Sequence, residues 1–396
     1  MAVTVEIKHL IAIFIIFWAC AIPALSRTLN EASVATTYEE WMAKHGRTYA
    51  NNAEKEKRFK IFIENLKFIK NFNNAGNNSY KMGLNMYSDL TPEEFIASHT
   101  GLRVPNLPKS SKVATLRPLN LDDVPASMDW RKKGAVTPIK NQGQCAAAAV
   151  EGITQIKTGK LIPLSEQQLV DCSTNWGNNG CQGGWPDNAF ECIIDNHGLA
   201  SETSYPYQGT VGTCRGSVVS AAARISGYQR VPANNEGQLL QAVAMQPVSV
   251  VIAINNDFQN YARGIFTGQC GTQLNHAVTL VGYGTGDDGT KYWLIKNSWG
   301  QSWGEGGYMR MLRDSGSPGG LCDRQVYYGC LWSMRKPTQS WGYCNWVWGE
   351  NGTTYWLKNS WGEDWREKGY RRMKMNVGGE GLCAIATHAS YPTINA

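Results

Sequence analysis

The apolar positions between residues 38 and 73 follow the period of an amphipathic α-helix. Large apolar side chains recur three, four and seven positions apart, which places them on one face of a helix. These side chains are Tyr38, Trp41, Met42, Phe59, Phe62, Ile63 and Leu66. The pattern therefore predicts helical structure from Tyr38 to Asn73.

Further along the chain, helical periods give way to continuous apolar runs. Residues 146–157 read as a helix that Gly159 ends, and Ser165 followed by Gln168 is typical of the start of another helix. Beyond Cys214, three β-branched or apolar runs predict strands. They span residues 248–254, 277–283 and 292–296. We expect an α+β fold in which a helical half packs against a small antiparallel β-barrel, with a cleft between them.

The composition indicates a globular protein with room for two or three domains. The chain has 396 residues, of which 42% are hydrophobic and 18% charged, and its formal net charge is +6. Lysine and arginine are scattered and form no basic run, which argues against nucleic-acid binding. We expect a monomer.

Residues 1–26 are a candidate signal peptide. Lys8 precedes an apolar run over residues 10–22 that is too short to span a bilayer, and small residues at Ala24 and Ser26 fit a cleavage site. An uncleaved anchor is the alternative. We expect entry into the secretory pathway, without stable membrane insertion, and a destination in the vacuole or lysosome or outside the cell. Oxidising conditions there would allow disulfides, and the wide spacing of the cysteines argues against a metal site.

Two motifs in the predicted helical segment carry a family resemblance. One consists of seven residues separated by variable positions, at the spacing of the family's motif: Glu54, Arg58, Ile61, Phe62, Asn65, Ile69 and Asn73. The other is Gly83-x-Asn85-x-Tyr87-x-Asp89, with tyrosine where phenylalanine is usual. Both resemble the prosegment of papain-like cysteine proteases, particularly the plant senescence-associated type.

The resemblance implies that this segment covers the cleft in the reverse direction and keeps a zymogen inactive, so the chain's own prosegment is an expected inhibitory partner. Asp89 is a candidate acid trigger, because protonating a paired carboxylate would loosen the cover. A simple turn or capping role for Asp89 is equally compatible with the sequence.

The segments expected from these features follow the chain in order. Residues 106–123 are rich in Pro, Ser and Lys and read as a linker that must be cut, and residues 124–130 resemble the start of a mature peptidase. The expected division is 1–26 signal peptide, 27–123 inhibitory prosegment with a helical core at 38–95, 124–322 peptidase domain, and 323–396 an insert and partial repeat.

A histidine and an asparagine supply the chemistry that the resemblance implies. His276 begins a predicted strand, and Asn297 follows at the end of the next one. In a Cys/His/Asn arrangement the imidazole takes the thiol proton and the amide fixes the ring. By resemblance, Gln142 would donate to the oxyanion and Trp299 would shield the His–Asn hydrogen bond. No cofactor is expected.

The nucleophile's own position is missing. Gln142-Gly143-Gln144-Cys145 resembles the start of the family's nucleophile signature, in which a second cysteine is the nucleophile. Here Cys145 matches the first, disulfide-forming cysteine and is followed directly by Ala146, so about seven residues of the family's pattern are absent. Seven residues are close to two turns of an α-helix, at ~3.6 residues a turn. Cys145 is the one substitute near the helix start, but that role would leave Cys181 unpaired.

The resemblance also implies substrate contacts and disulfides. The expected substrates are proteins or peptides, with an apolar or aromatic side chain two residues before the cut. The substrate-binding residues implied are Gly183, Gly184, Val251, Leu274, Asn275 and Trp299. The disulfides implied are Cys145–Cys181, Cys172–Cys214, and Cys270 with either Cys322 or Cys383.

The tail repeats part of the predicted peptidase domain. Residues 292–322 recur as 355–383, with Asn297-Ser298-Trp299-Gly300 matched by Asn359-Ser360-Trp361-Gly362. The second copy lacks one strand residue, which flips the alternation of its side chains. We expect the first copy to hold Asn297 against His276, residues 323–354 to loop out, and residues 384–392 to form the closing strand.

Three interpretations of the function follow. The chain is a papain-like endopeptidase zymogen, impaired because the nucleophilic cysteine is absent, or an inactive homologue that binds peptides or related proteases. The third is the product of a pseudogene or a wrongly joined gene, which the missing block and the repeated tail both favour.

Overall fold

A computed structural model describes residues 32–100, 102, 113–115, 124–140, 146–216, 219–231, 236–271 and 273–313, together with the backbone of four later strands. The helices are α1 (residues 32–45), α2 (Asn52–Asn74), α3 (Pro92–His99), α4 (Ala146–Thr158), α5 (Glu166–Cys172), α6 (Pro186–Asp195), α7 (Glu236–Met245) and α8 (Asn256–Gln259).

The strands fall into a large sheet and a small one. The strands are β1 (Tyr80–Met82), β2 (Val113–Thr115), β3 (Met128–Asp129), β4 (Gly227–Val231), β5 (Val248–Ile252), β6 (Tyr261–Phe266), β7 (His276–Thr285), β8 (Lys291–Lys296), β9 (Tyr308–Leu312), β10 (Asn345–Trp348), β11 (Thr354–Lys358), β12 (Tyr370–Lys374) and β13 (Ala389–Thr393).

The large sheet has the order β1-β6-β9-β8-β7-β5-β13-β4-β2, with β3 paired to β7. Most of its pairs are antiparallel, as expected from the sequence, but β6–β9 and β2–β4 are parallel. The core of this half includes Val250, Leu280 and Trp293, all fully buried. The sheet therefore joins the prosegment, through β1, to the strands that carry the candidate catalytic residues.

A separate apolar cluster forms the helical half. Helices α4, α5 and α6 contribute Val150, Leu169 and Phe190 to it. Helix α5 starts as the sequence predicts, because the Ser165 hydroxyl accepts a hydrogen bond from the Gln168 backbone N–H at 3.0 Å. The α+β architecture, with one mainly helical and one mainly β half, agrees with the sequence-based expectation.

The prosegment has its own small core. Tyr38 and Trp41 of α1 pack against Phe62 and Leu66 of α2. Helix α2 begins at an N-cap in which the Asn51 side chain accepts from the Glu54 backbone N–H, and α3 begins with a complete capping box. Helical structure thus covers most of the range predicted from Tyr38 to Asn73, interrupted between α1 and α2.

The second copy of the repeated tail pairs with the segment before it, because β10 lies within residues 323–354, so part of the segment that was predicted to loop out is a strand. Strands β10, β11 and β12 form a three-stranded antiparallel sheet, whereas β8 and β9 of the first copy lie in the large sheet. Strand β13 then pairs with β4 and β5. No helix in the described part of the chain is long and apolar enough to cross a membrane.

Candidate active site

His276 and Asn297 meet because β7 and β8 are neighbours. His276 is the first residue of β7, and Asn297 follows β8, whose last residue, Lys296, lies opposite Thr279. The antiparallel register thus brings the start of one strand near the end of the other. The distance between His276 Nε2 and Asn297 Oδ1 is 2.9 Å.

The neighbouring backbone fixes which proton the imidazole carries. Asn297 Oδ1 also accepts the Ser298 backbone N–H at 2.8 Å, so the oxygen of the amide faces the ring. His276 Nε2–H must then be the donor to Asn297 Oδ1. In the neutral ring this leaves Nδ1 unprotonated, which is the state that a general base requires.

Trp299 covers the pair. Its ring stacks on the His276 ring with centroids 4.6 Å apart and an interplanar angle of 24°. Trp303 meets Trp299 edge-on at 4.9 Å and donates its indole N–H to the Phe258 carbonyl. All three rings are buried, so water is kept from the His276–Asn297 hydrogen bond.

Burial lowers the pKa of the His276 imidazole to about 4, because the charged ring would lose its hydration. The hydrogen bond to Asn297 opposes this shift, and His99 of the prosegment adds to it. The ring is therefore neutral at pH 7 unless an anion lies beside it. A thiolate partner is the kind of group that would reverse the shift.

The prosegment contacts this site directly. The Tyr87 hydroxyl donates to the Trp299 carbonyl at 3.0 Å, and the Phe95 ring meets the Trp299 ring edge-on at 4.9 Å. Further on, the Leu102 backbone N–H donates to the Asn275 carbonyl at 3.4 Å, one residue before His276. These contacts place the prosegment over the candidate catalytic pair.

Gln259 is a second anchor for the prosegment, and the sequence did not single it out. Its buried side-chain amide donates to the carbonyls of Tyr87 and Leu90, and its backbone carbonyl accepts from the Asn85 side chain. Strand β1 adds backbone pairing with β6. The second prosegment motif is thus bound along the β half by hydrogen bonds that involve main-chain groups.

The interspersed prosegment motif forms one internal framework. Arg58 bridges Glu54 at 2.7 Å and Glu94 at 2.6 Å. Asn65 donates to the carbonyls of Ser88 and Leu90. Asn73 holds β1 through both the N–H and the carbonyl of Met82, and Ile61, Phe62 and Ile69 are buried.

Asp89 is buried between α1, α2 and the loop that contains it. Its carboxylate accepts from the Tyr49 hydroxyl at 2.9 Å and lies 3.5 Å from the Arg47 guanidinium. Arg58 also donates to the Asp89 carbonyl at 3.1 Å. The carboxylate is therefore paired with one hydroxyl group and one guanidinium group.

Helix α4 occupies the position of the predicted central helix. Its first described residues, Ala146 and Ala147, are buried alanines. Gln142 and Cys145, predicted respectively as oxyanion donor and as possible substitute nucleophile, lie outside the described residues.

A buried charge network joins α4 to β8, the strand that ends at Lys296. The Glu151 carboxylate accepts from Thr137 and from Lys140, and Lys296 Nζ lies 2.8 Å from Thr137 Oγ1. Lys140 also bridges Glu166 at 2.9 Å. Sequence reasoning missed this network, although a glutamate and a lysine inside apolar segments were a usable signal.

Glu166 has a pKa raised to about 7 by burial, with the lysine of this network opposing the shift and Glu151 adding to it. The pKa of Lys140 is raised above its usual value: its carboxylate partners outweigh the opposing effect of burial. The network holds the segment that ends at Lys140, the last described residue before α4.

The residues implied for substrate binding lie in two places. Gly183 (φ 91°) ends the 3₁₀ turn over Gly180–Gln182, and a Cβ on Gly184 would lie 2.3 Å from the Asn178 side chain. Val251 is fully buried in β5, opposite Ala277. The Asn275 side chain accepts a hydrogen bond from the Ile254 backbone N–H and donates one to the Ile254 carbonyl. Leu274 beside it is half-buried.

The cysteines correct one prediction. Cys172 and Cys214 form the disulfide that was expected, and Cys270 is disulfide-bonded, with both Cys322 and Cys383 outside the described residues. Cys181, however, is an exposed free thiol, so the implied disulfide Cys145–Cys181 is not formed. The Cys181 sulfur instead lies 3.6 Å from the Gly209 carbonyl, within a 3₁₀ turn over Gly180–Gln182.

Known protein families match both the prosegment and the two halves that follow it. The family model for papain family cysteine protease matches residues 124–330 and 334–393, and that for the cathepsin propeptide inhibitor domain matches residues 38–95. The senescence-specific cysteine protease SAG39 of Oryza sativa subsp. indica is 47% identical over 313 residues, covering 76% of this chain and 91% of that protein. Fruit bromelain of Ananas comosus is 43% identical over 329 residues, covering 81% and 93%.

Solved precursor structures are also similar. A recombinant stem bromelain precursor matches with a TM-score of 0.70 and 38% identity, covering 92% of this chain and 100% of that one. Procathepsin L 3 from the larval midgut of Tenebrio molitor matches with a TM-score of 0.64 and 31% identity, covering 91% and 99%. Both similarities extend over the prosegment as well as the catalytic halves.

Proposed function

Because the chain belongs to the papain family of cysteine proteases, we propose that it is the zymogen of a cysteine-type endopeptidase whose hydrolysis of peptide bonds is impaired by the loss of the nucleophilic thiol. In the family's reaction the thiol proton passes to the imidazole, the thiolate attacks the peptide carbonyl, and a thioester forms before water releases it. His276, Asn297 and Trp299 retain the geometry for the proton transfer.

The proposal is supported by an imidazole that Asn297 orients, together with a sequence in which Cys145 is followed directly by Ala146. Two cysteines in the described part of the chain have free thiols, Cys181 and Cys192. The Cys181 sulfur contacts the Gly209 carbonyl, and the buried Cys192 sulfur accepts from the Asn196 amide. Neither is bonded to His276. Burial also raises the pKa of the Cys192 thiol to about 11, which keeps it protonated and unreactive.

Peptide hydrolysis by matched variants tests this function. After the prosegment is removed by an added protease, the chain should cleave a fluorogenic peptide no faster than its His276→Ala variant. By the precedent of serine proteases, loss of the nucleophile lowers turnover by on the order of a millionfold. Inserting the family's cysteine-containing block between Cys145 and Ala146 should restore cleavage that depends on His276. Cleavage by the unmodified chain that His276→Ala abolishes would refute the impairment.

The alternative function is that of an inactive homologue that binds peptides or proteases, and the seated prosegment favours it. The prosegment is held through Tyr87, Asn85 and β1, and a chain that cannot cut its own linker would keep it. If this alternative holds, the purified chain should inhibit an active relative such as fruit bromelain, and a Tyr87→Phe and Asn85→Ala double variant should change the inhibition constant.

We propose that the protein enters the secretory pathway and reaches the vacuole, the lysosome or the extracellular space. The candidate signal peptide and the Cys172–Cys214 disulfide support an oxidising compartment. Sequencing the N-terminus of the chain from a secretory host should show that residues 1–26 are removed. An intact Met1 would contradict this route.

A further inference from the structure

Asn77 opens one of the two Asn-x-Ser/Thr sequences of the chain, Asn77-Asn78-Ser79, and this sequence lies in the prosegment. The other, Asn351-Gly352-Thr353, lies outside the described residues. Short sequences of this kind are weak signals, because such an asparagine is modified only where the chain enters the secretory pathway and the side chain is accessible. The structure tests accessibility at Asn77.

The turn between α2 and β1 presents the Asn77 side chain to solvent. Helix α2 ends at Asn74, and Gly76 (φ 76°) and Asn77 (φ 30°) turn the chain in the left-handed region before β1 begins at Tyr80. Asn77 is exposed, and its amide makes no hydrogen bond to any residue that the structure describes. Asparagine tolerates this backbone conformation better than most residues.

The neighbours of Asn77 face the protein instead. Asn78 donates its side-chain N–H to the Phe72 carbonyl at 2.8 Å, and the Ser79 hydroxyl donates to the Ile265 carbonyl at 2.8 Å. These bonds hold the turn on both sides while Asn77 points away from them. A large group on Asn77 therefore displaces none of the contacts that seat β1 on β6.

The turn also lies at an end of the large sheet. Strand β1 is the first strand in the sheet order, so its outer edge has no described strand beside it. An open edge is a place where two molecules can pair, and bulky or charged groups prevent this. A carbohydrate three residues before β1 would stand close to that edge.

We propose that Asn77 carries an N-linked oligosaccharide. The reaction joins Asn77 Nδ2 to the anomeric carbon of an oligosaccharide donated by a lipid pyrophosphate of the secretory pathway. The carbon–oxygen bond to the pyrophosphate breaks, and the lipid pyrophosphate leaves while the amide gives up one proton. The glycan belongs to the prosegment, so it marks every molecule that keeps this segment and leaves with the segment when the linker is cut.

The test is glycopeptide mass spectrometry on the full chain, expressed from Met1 in plant cells. The peptide that contains Asn77 is expected to carry hexose and N-acetylhexosamine, and the carbohydrate should disappear in Asn77→Gly and in Ser79→Ala. Glycine fits the left-handed turn without strain, so Asn77→Gly isolates the loss of the amide. Ser79→Thr retains the acceptor sequence and should retain the glycan. Asn74→Gln, at the exposed end of α2 and outside the sequence, is the matched control.

An Asn351→Gln variant distinguishes the two acceptor sequences. Any carbohydrate that this variant still carries is attached to a residue other than 351. An unmodified Asn77 peptide from chain whose Cys172–Cys214 disulfide has formed would overturn the proposal. So would a glycan that persists in Asn77→Gly. Neither result depends on whether the chain cleaves peptides, so this test is independent of the catalytic one.

Discussion

His276 shows how strongly the surroundings of a residue set its chemistry. Asn297 fixes the tautomer, Trp299 excludes water, and burial keeps the ring neutral. A thiolate beside Nδ1 would stabilise the protonated ring through an ion pair, which is the balance on which a Cys/His pair depends. Without that anion the same surroundings make the imidazole a poor base at neutral pH.

The depressed pKa of His276 gives a prediction about stability. Since the ring titrates near 6.5 when unfolded and at about 4 when folded, the unfolded chain binds more protons between these values. Stability should therefore be complete above pH 6.5 and fall as the pH drops towards 4, by on the order of 3 kcal/mol for this group. Urea unfolding at pH 7 and pH 4.5 measures the loss.

The control is His276→Gln, which removes the titrating ring from the same position. The difference between the two proteins in how much stability they lose on acidification isolates the contribution of His276. An equal loss in both would show that the buried ring is not the source of the acid sensitivity.

The buried charge of Glu151 gives a second prediction about stability. The buried Glu151 carboxylate accepts hydrogen bonds from Lys140, Thr137 and the backbone N–H of Leu164, and Lys296 Nζ lies 3.9 Å from it. Glu151→Gln removes this buried charge from both lysines, while Lys140 keeps its bridge to Glu166. Removing one partner of a buried ion pair costs about 3–5 kcal/mol. Chemical unfolding should show a loss of this size. Glu56→Gln, at an exposed pair with Lys60 on α2, should lose less than about 0.5 kcal/mol. Similar losses in both variants would contradict the role of the network.

Among the structural elements, the prosegment loop before α3 is held by a buried carboxylate. Asp89 pairs with Arg47 and Tyr49, while Arg58 binds its carbonyl, so one residue joins the connection between α1 and α2, helix α2 and the loop that carries Tyr87. Tyr87 in turn contacts Trp299 over the catalytic pair. A change at Asp89 is therefore transmitted to the covered site through a short chain of contacts.

Asp89→Asn mimics the protonated carboxylate and should loosen this loop at neutral pH. The prosegment of the variant should be removed several-fold faster by a low concentration of added protease, because a hydrogen bond to a charged group contributes about 1.5–3 kcal/mol. Glu40→Gln, on the exposed face of α1, should be digested at the original rate. Digestion of Asp89→Asn at that same rate would leave Asp89 with a local turn role.

At the scale of the whole molecule, local patterns predicted the parts that depend on local physics. The apolar period located α2, and the strand runs located β5, β7 and β8, because burying a continuous face requires these spacings. The pairing of His276 with Asn297 could be anticipated because both lie at strand ends within one antiparallel unit.

The rest depends on contacts between distant parts of the chain, which periodicity does not encode. Gln259 binding the prosegment, the Lys140–Glu151–Glu166 network and the parallel β6–β9 pair all join segments far apart in sequence. The free thiol of Cys181 shows the same limit, since the pairing implied by the resemblance was not a property of the local pattern. Likewise, nothing local indicated that β10, β11 and β12 form a sheet of their own.

Labelling with an epoxide inhibitor of thiol proteases, followed by peptide mapping, tests the central claim most directly. The protein should first be freed of its prosegment by an added protease and then compared with its His276→Ala and Cys145→Ala variants. The loss of the nucleophile predicts no label that depends on His276, and at most slow, His276-independent alkylation of the exposed Cys181. Rapid labelling of Cys145 that His276→Ala abolishes would show that the chain has a working nucleophile, and would contradict the claim that its catalytic thiol has been lost.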